Sequence, residues 1–411
     1  MASADAALSI ADVIATERDA LGKQGHTSEG SIAVGVTPST PKNPADARVT
    51  RMLSRDPDVF AVITGREEDW RFTPLARLHG LHDGTAAPTG VLEVTVTGAP
   101  VETIGPDHPL VGSALTPVDK AAALALRDFK EGQLVTLDGE LAEPVVLSFR
   151  GTGQVSYGHV VVDVKPFAKG VVVLEHTGQA LHSGGVEVLV GDGADVTLVS
   201  LQEWDDSSVH LSAQAAVVGR DARFTSVVVS LGGDLVRLNP TVTYAGPGGS
   251  AEFLGLAFAD AGQHLEHRLF VDHEARNCRS RVTYKTAVQG EGAHTVWIGD
   301  VLIRAAAEGT DTYELNRNLL LTPEARADSV PNLEIETGEI AGAGHASATG
   351  RFDDEQLFYL QSRGITADEA RRIVVLGFFT EILQQIGVPS LEERLIAAIE
   401  NELGTAAQVP A

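Results

Sequence analysis

From about Gln133 to Gly350 the apolar residues recur at every second position, and no helix-length apolar pattern breaks the alternation for roughly two hundred residues. A period of two puts successive side chains on opposite faces of an extended chain. The stretch therefore reads as a long run of strands, each with one face buried. Val196-Thr197-Leu198-Val199-Ser200-Leu201, Val209-His210-Leu211-Ser212 and Phe224-Thr225-Ser226-Val227 carry the pattern. The missing helical segments argue against alternating βα units.

Similar turns punctuate the strands. Gly191-Asp192-Gly193-Ala194-Asp195-Val196 resembles Gly219-Arg220-Asp221-Ala222-Arg223-Phe224, and Gly248-Gly249-Ser250-Ala251-Glu252-Phe253 and Gly290-Glu291-Gly292-Ala293-His294-Thr295 look related. Ala194, Ala222 and Ala251 fall at nearly equal intervals, and Ala293 follows after a longer one. Recurrence of this kind points to stacked coils, each burying its inward face against its neighbours. A right-handed parallel β-helix is the fold expected, with a jelly roll or paired sandwich as the alternative. The 42 Gly and only 5% aromatic residues suit short strands joined by tight turns.

Helical pattern is confined to the two ends. Residues 1–43 read as a flexible N-terminal helix and linker, the linker being the Ser-, Thr-, Gly- and Pro-rich Thr27 to Asn43. Residues 44–132 form an N-terminal helical region, with a short amphipathic helix after Pro44-Ala45-Asp46-Ala47-Arg48-Val49 and a second helical island over Pro117 to Lys130. Residues 133–350 are the β core, and 351–411 a C-terminal helical domain. There, a helix from Asp353 to Arg363 stops at Gly364, and Thr366-Ala367-Asp368-Glu369 and Ser390-Leu391-Glu392-Glu393 are capping boxes opening two more. Ile373-Val374-Val375-Leu376-Gly377-Phe378-Phe379 is apolar almost all round, so it must be covered on both sides, by this chain or by a partner.

Charge and motifs narrow the function. The net charge of −25 and the lack of any Lys/Arg cluster argue against nucleic-acid binding. The single Cys278 excludes a disulfide framework within the chain and a Cys-only metal site. No apolar run approaches the about 18 residues that span a bilayer, and the N-terminus lacks a signal peptide, so a soluble cytoplasmic protein is expected. There is no P-loop or Gly-x-Ser-x-Gly elbow, and Gly151-Thr152-Gly153 and Gly342-Ala343-Gly344 fall short of a dinucleotide fingerprint; a non-catalytic role is expected. His264-Leu265-Glu266-His267 with His273 and Cys278 is the densest set of potential ligands. In a strand, His264 and Glu266 face one way and His267 the other, which favours a structural lining over a metal site. Cys278, between Arg276 and Arg279, reads better as a buried structural thiol than as a reactive one. His345 lies among small residues in Ala341-Gly342-Ala343-Gly344-His345-Ala346-Ser347, where an exposed histidine and a ligand stand equal.

Pro331-Asn332-Leu333-Glu334-Ile335, then Gly344-His345, then Gln356-Leu357-Phe358-Tyr359-Leu360-Gln361-Ser362-Arg363-Gly364-Ile365 resemble the SufB/SufD family of iron–sulfur cluster assembly proteins, with one extra residue before His345. Glu68-Asp69-Trp70-Arg71-Phe72-Thr73, His273 through Ser280, and Leu315-Asn316-Arg317-Asn318-Leu319-Leu320-Leu321 extend the resemblance. The chain's length and opening resemble the SufD branch rather than SufB. The resemblance implies a right-handed parallel β-helix flanked by helical domains, acting as a non-catalytic scaffold of the SUF system. It implies pairing with a SufB-like paralogue through the β-helices, docking of a SufC-like ABC ATPase on the C-terminal helices, and a homodimer in isolation. Phe358, Tyr359, Leu360, Arg363, Phe378 and Phe379 are the candidate docking residues. His345 matches the family histidine at the SufB–SufD junction, where transient iron or an iron–sulfur cluster would be shared with SufB; no tightly bound cofactor is implied. Many SufD sequences carry Cys-Ser-His where this chain has Ala343-Gly344-His345, so imidazole remains as this chain's ligand and sulfur chemistry falls to the partner.

Overall fold

The structure, a computed structural model, describes residues 52–352, 354–386 and 389–406. The expected N-terminal helix and linker, and the helix after Pro44, lie outside the described residues.

Parallel pairing dominates the chain. Each coil of the solenoid has two legs, and each leg stacks on the corresponding leg of the next coil. The two long strands β4 (Val145–Val164) and β5 (Lys169–Val190) bend through both legs. Thus Lys169 to Gly178 of β5 pairs with β6 (Asp195–Trp204), whereas Leu181 to Val190 pairs with β7 (Val209–Val218). One leg continues through β8 (Arg223–Ser230), β10 (Ser250–Ala259), β12 (Arg279–Val288), β14 (Thr310–Leu320) and β16 (Ile340–Arg351). The other runs through β9 (Leu235–Tyr244), β11 (His264–His273), β13 (His294–Ile303) and β15 (Arg326–Ile335). This is a parallel β-helix, as the alternation predicts. Later coils are longer than early ones: Val209 pairs with Leu235 across 26 residues, Arg237 with Glu266 across 29, and Ser280 with Thr312 across 32.

Two details of the turn repeat are corrected. Ser250 pairs with Arg223, so Gly249 rather than Ala251 is the counterpart of Ala222. Ala293 opens the opposite leg, since His294 pairs with His264. A coil turns twice, and both turns use glycine, which is why the two series look like one. In the first series Cys278 occupies the corner position of Ala194 and Ala222, immediately before Arg279, Asp195 and Arg223.

Within β6, Val196 and Leu198 join the apolar interior of the bore, while Val199 and Leu201 lie on the outer flank; all four are buried. Burial of both faces exceeds the single buried face expected, because helices cover the flank. The helix α1 (Lys120–Asp128), capped by the Asp119 carboxylate accepting from the Ala122 amide at 2.8 Å, packs beside the first coils. The C-terminal helices are α2 (Asp354–Ser362), α3 (Ala367–Ile386) and α4 (Pro389–Ala406). Val375, Phe378, Phe379 and Ile382 of α3 and Leu395 of α4 lie against Val199, Leu201, Val227 and Leu254. The Lys285 ammonium donates to the Phe378 carbonyl at 2.8 Å and to the Glu381 carboxylate at 2.7 Å, and Arg394 pairs with Glu203 and Glu175. The all-round apolar helix is therefore covered by this chain itself.

The region before α1 departs from the helix expected. Among the described residues it holds only single-turn 3-10 segments, Pro57–Val59, Glu68–Trp70 and Leu75–Leu78, besides the strands β1 (Glu93–Thr97) and β2 (Val101–Ile104). Pro57 and Pro74 lack the amide a longer helix needs, and Gly65, Gly80 and Gly84 take positive φ. The Glu68–Thr73 stretch instead clamps the outer face of β9 and β11. Arg237 lies 3.7 Å over the Trp70 ring, donates to the Asp69 carbonyl at 2.9 Å and pairs with Glu266 at 3.2 Å; the Thr73 hydroxyl donates to Glu266 at 2.7 Å.

Candidate functional site at the open end of the solenoid

β15 and β16 form the last coil. Among the described residues β15 pairs only with β13 and β16 only with β14, so each leaves its other edge unpaired there. The Pro331–Ile335 block is the second half of β15, and Leu315–Leu320 lies in β14. His345 sits on β16 and is exposed.

Which way His345 faces is decided by a bulge. Thr310 pairs with Ile340, but Asp311 pairs with Gly342, so Ala341 is the extra residue. From there Glu314 is opposite His345 and Asn316 opposite Ser347. An unbroken register would have put Gly344 beside Glu314 and turned His345 to the outer face, because a one-residue slip flips every side chain. The single extra residue noted before His345 thus has a structural use: it aims the imidazole into the bore.

Around it the interior changes from apolar to polar. The Asn318 amide donates to Asn316 Oδ1 at 2.8 Å and to the Thr349 hydroxyl at 3.1 Å, and the Ser347 and Ser329 hydroxyls meet at 2.7 Å. On the opposite, outer face of the same strands Asn332 donates to Asp300 at 2.7 Å. Glu314 is 1% exposed, and among the described residues neither of its carboxyl oxygens has a hydrogen-bond partner. Burial, with the Asp300 charge adding to it, pushes its pKa up to about 8. Asn316 Nδ2 and Trp297 Nε1 are likewise buried without partners.

The other candidates are dispersed. His264 and Glu266 face outward into the Arg237 clamp, while His267 faces inward, sharing a 2.9 Å hydrogen bond with Ser230 and meeting Tyr284 edge-on. His273 stacks on Tyr244 and shares a 2.9 Å hydrogen bond with Ser280. Cys278 is 1% exposed, its thiol donates to the Gly246 and Arg276 carbonyls at 3.5 Å, and burial raises its pKa. Among the described residues no group of three or more His, Cys, Asp and Glu side chains is arranged to hold a metal ion.

The proposed docking residues divide sharply. Phe358 is 73% and Tyr359 48% exposed on α2, with the Arg363 guanidinium 5.2 Å from the Tyr359 ring. Leu360 is buried among Ala370 and Val374. Phe378 and Phe379 are buried against the β-helix, so their assignment to a partner surface is corrected: their apolar area is spent inside the chain.

A cluster at the other end of the bore was not anticipated. His176, His182 and His210 surround Trp204, with ring centroids 4.9 Å apart for His176–His210 and 5.0 Å for His182–His210. Gln202 accepts from Trp204 Nε1 at 2.9 Å and lies 2.7 Å from His210 Nδ1. Burial holds His176 down to about 4 and His182 to about 3, and His210 well below its usual value, so the rings are neutral. His176 shares the parity of the inward Leu174, a signal for its placement, whereas His210 alternates with Val209 and Leu211 of the outer flank and carries no such signal there.

Fold and site together define a parallel β-solenoid that presents an imidazole at an unpaired terminal edge. Residues 147–378 match the model of the SUF system FeS cluster assembly SufBD core domain. An iron–sulfur cluster assembly SufBD family protein of Mycobacterium tuberculosis (strain H37Rv) is 54% identical over 85% of this chain and 91% of its own length. The corresponding protein of Mycobacterium leprae is 52% identical over 85% of this chain and 93% of its own length. The chain belongs to the SufBD family, and its role lies in SUF iron–sulfur cluster assembly. It is also similar to the iron–sulfur cluster assembly protein SufD of Escherichia coli K12, 28% identical over 56% of this chain and 55% of that protein. No helix among the described residues is long and apolar enough to cross a membrane.

Proposed function

We propose that this chain is the SufD-type, non-catalytic scaffold of a cytoplasmic SUF assembly. It pairs through its last coil with a SufB-like paralogue and carries a SufC-like ABC ATPase on its C-terminal helices. At the shared junction His345 offers imidazole to the iron or cluster being built, while the partner supplies thiolate. The observation that carries this reading is the bulge at Ala341, which spends an irregularity on turning His345 into the bore at an unpaired edge. Open strand edges supply main-chain donors and acceptors for a second solenoid, and α2 supplies an exposed aromatic pair for the ATPase. Neutral imidazole suits iron, and a one-ligand contribution accords with a site completed from across the junction.

The decisive experiment compares wild type with His345→Ala, co-produced with SufB-like and SufC-like partners. The expected result is an intact assembly that no longer forms clusters. Unchanged cluster formation refutes the ligand role and leaves the alternative, a β-helix that only stabilises its partners. A chain ending at Phe352 should still bind the paralogue and lose the ATPase.

A further inference from the structure

We propose that Glu314 is a second ligand from this chain at the same junction, so that the open end of the bore presents a carboxylate–imidazole pair to a ferrous ion. The proposal rests on the reading of His345 above and adds a residue to it. Its first support is register: Glu314 and His345 are direct partners on adjacent parallel strands, placed on one face by the bulge at Ala341. Neighbouring strands lie about 4.8 Å apart, which is within the span of two side chains closing on one ion.

The second support is the state of the carboxyl itself. It is 1% exposed, and both oxygens lack partners. Buried polar atoms are nearly always satisfied, so a buried acid with both oxygens orphaned, beside the orphaned Asn316 Nδ2 and Trp297 Nε1, calls for a cause. A chain selected for stability alone would place an apolar residue there, as the coils stacked beneath it do with Leu198, Phe253 and Val282. Rules of packing broken at one position, without local compensation, mark functional sites.

The third support is room. Glu314 lies across the bore from Gly299, where a Cβ would fall 2.5 Å from Glu314 Oε1 and 2.6 Å from the Trp297 ring. The glycine keeps a space that the carboxyl alone occupies. Oxygen and imidazole together are an acceptable donor set for divalent iron, with the remaining positions open to the partner.

The test is a ferrous-ion titration of the full chain under anoxic conditions, on wild type, E314Q, E314L and H345A. The expected result is saturable binding that weakens at least tenfold in each variant. E314L should melt at a higher temperature than wild type while binding less iron, which separates a lost ligand from a lost fold. Wild-type binding in E314Q and E314L, with weakened binding in H345A, overturns the proposal and leaves His345 standing. Weakened binding in the Glu314 variants with none in H345A overturns the pair and the reading of His345. No saturable binding by wild type overturns the pair as an iron site, and cluster formation by H345A in the assembly then judges His345 separately.

Discussion

Replacing Glu266 by Gln should cost this protein about 3 kcal/mol at neutral pH. The carboxylate is fully buried between the strand β11 and the Glu68–Thr73 clamp. Burial alone would raise its pKa, but the Arg237 charge, a hydrogen bond from His264 and the Arg268 charge outweigh burial and hold it at about 2, against an ordinary 4.5. At about 1.4 kcal/mol per pKa unit, that depression corresponds to about 3 kcal/mol of stability. The contribution is complete above the unfolded value of 4.5 and is lost as pH falls toward 2. Gln keeps the shape but leaves the Arg237 guanidinium, 3% exposed, without its counter-charge. Urea unfolding at neutral pH measures the difference, and a double-mutant cycle with Thr73→Val isolates the 2.7 Å hydrogen bond that joins clamp to strand. Limited proteolysis should find the clamp cut first in E266Q. A loss below about 1 kcal/mol, with no coupling to Thr73, would refute the view that this network fastens the N-terminal segment.

Three further outcomes follow from burial. The folded chain holds His176 and His182 neutral at pH values where the unfolded chain charges them, so stability should fall as pH drops from 6.5 toward about 4, by about 1.4 kcal/mol per unit for each ring; His176→Gln should flatten the pH dependence of unfolding. Phe379→Ala should cost about 3–5 kcal/mol and expose α3 and α4 to protease before the β-helix, because its ring is fully buried on the flank. Cys278 should resist alkylation in the native state and react on denaturation, and Cys278→Ala should cost under about 1.5 kcal/mol, since Ala fills the same corner in earlier coils.

Much of the architecture was legible because a two-sided strand advertises its period. Val196 and Leu198 against Val199 and Leu201 show the alternation even where both faces are buried, and the glycine turns mark where the chain reverses. What pattern alone does not give is registry between coils. Ala251 invited alignment with Ala222, yet main-chain pairing sets Gly249 there. The same limit hid Glu314, whose relation to His345 depends on where a bulge absorbs one residue. Phe378 and Phe379 were read as a partner surface because their helix has no polar side, a feature that serves equally for packing on a sheet of the same chain. His210, alternating with Val209 and Leu211, looks solvent-facing until the opposite face is known to be buried too.

The coils grow from 26 residues between Val209 and Leu235 to 32 between Ser280 and Thr312, so early and late rungs differ in perimeter. In a solenoid of equal repeats, a strand can dock one rung too early with little penalty, and such slips are a familiar route to misassembly. Here a displaced strand would meet a neighbour of the wrong perimeter, with its corner glycines out of step. The difference in perimeter therefore disfavours pairing between early and late coils while the solenoid assembles.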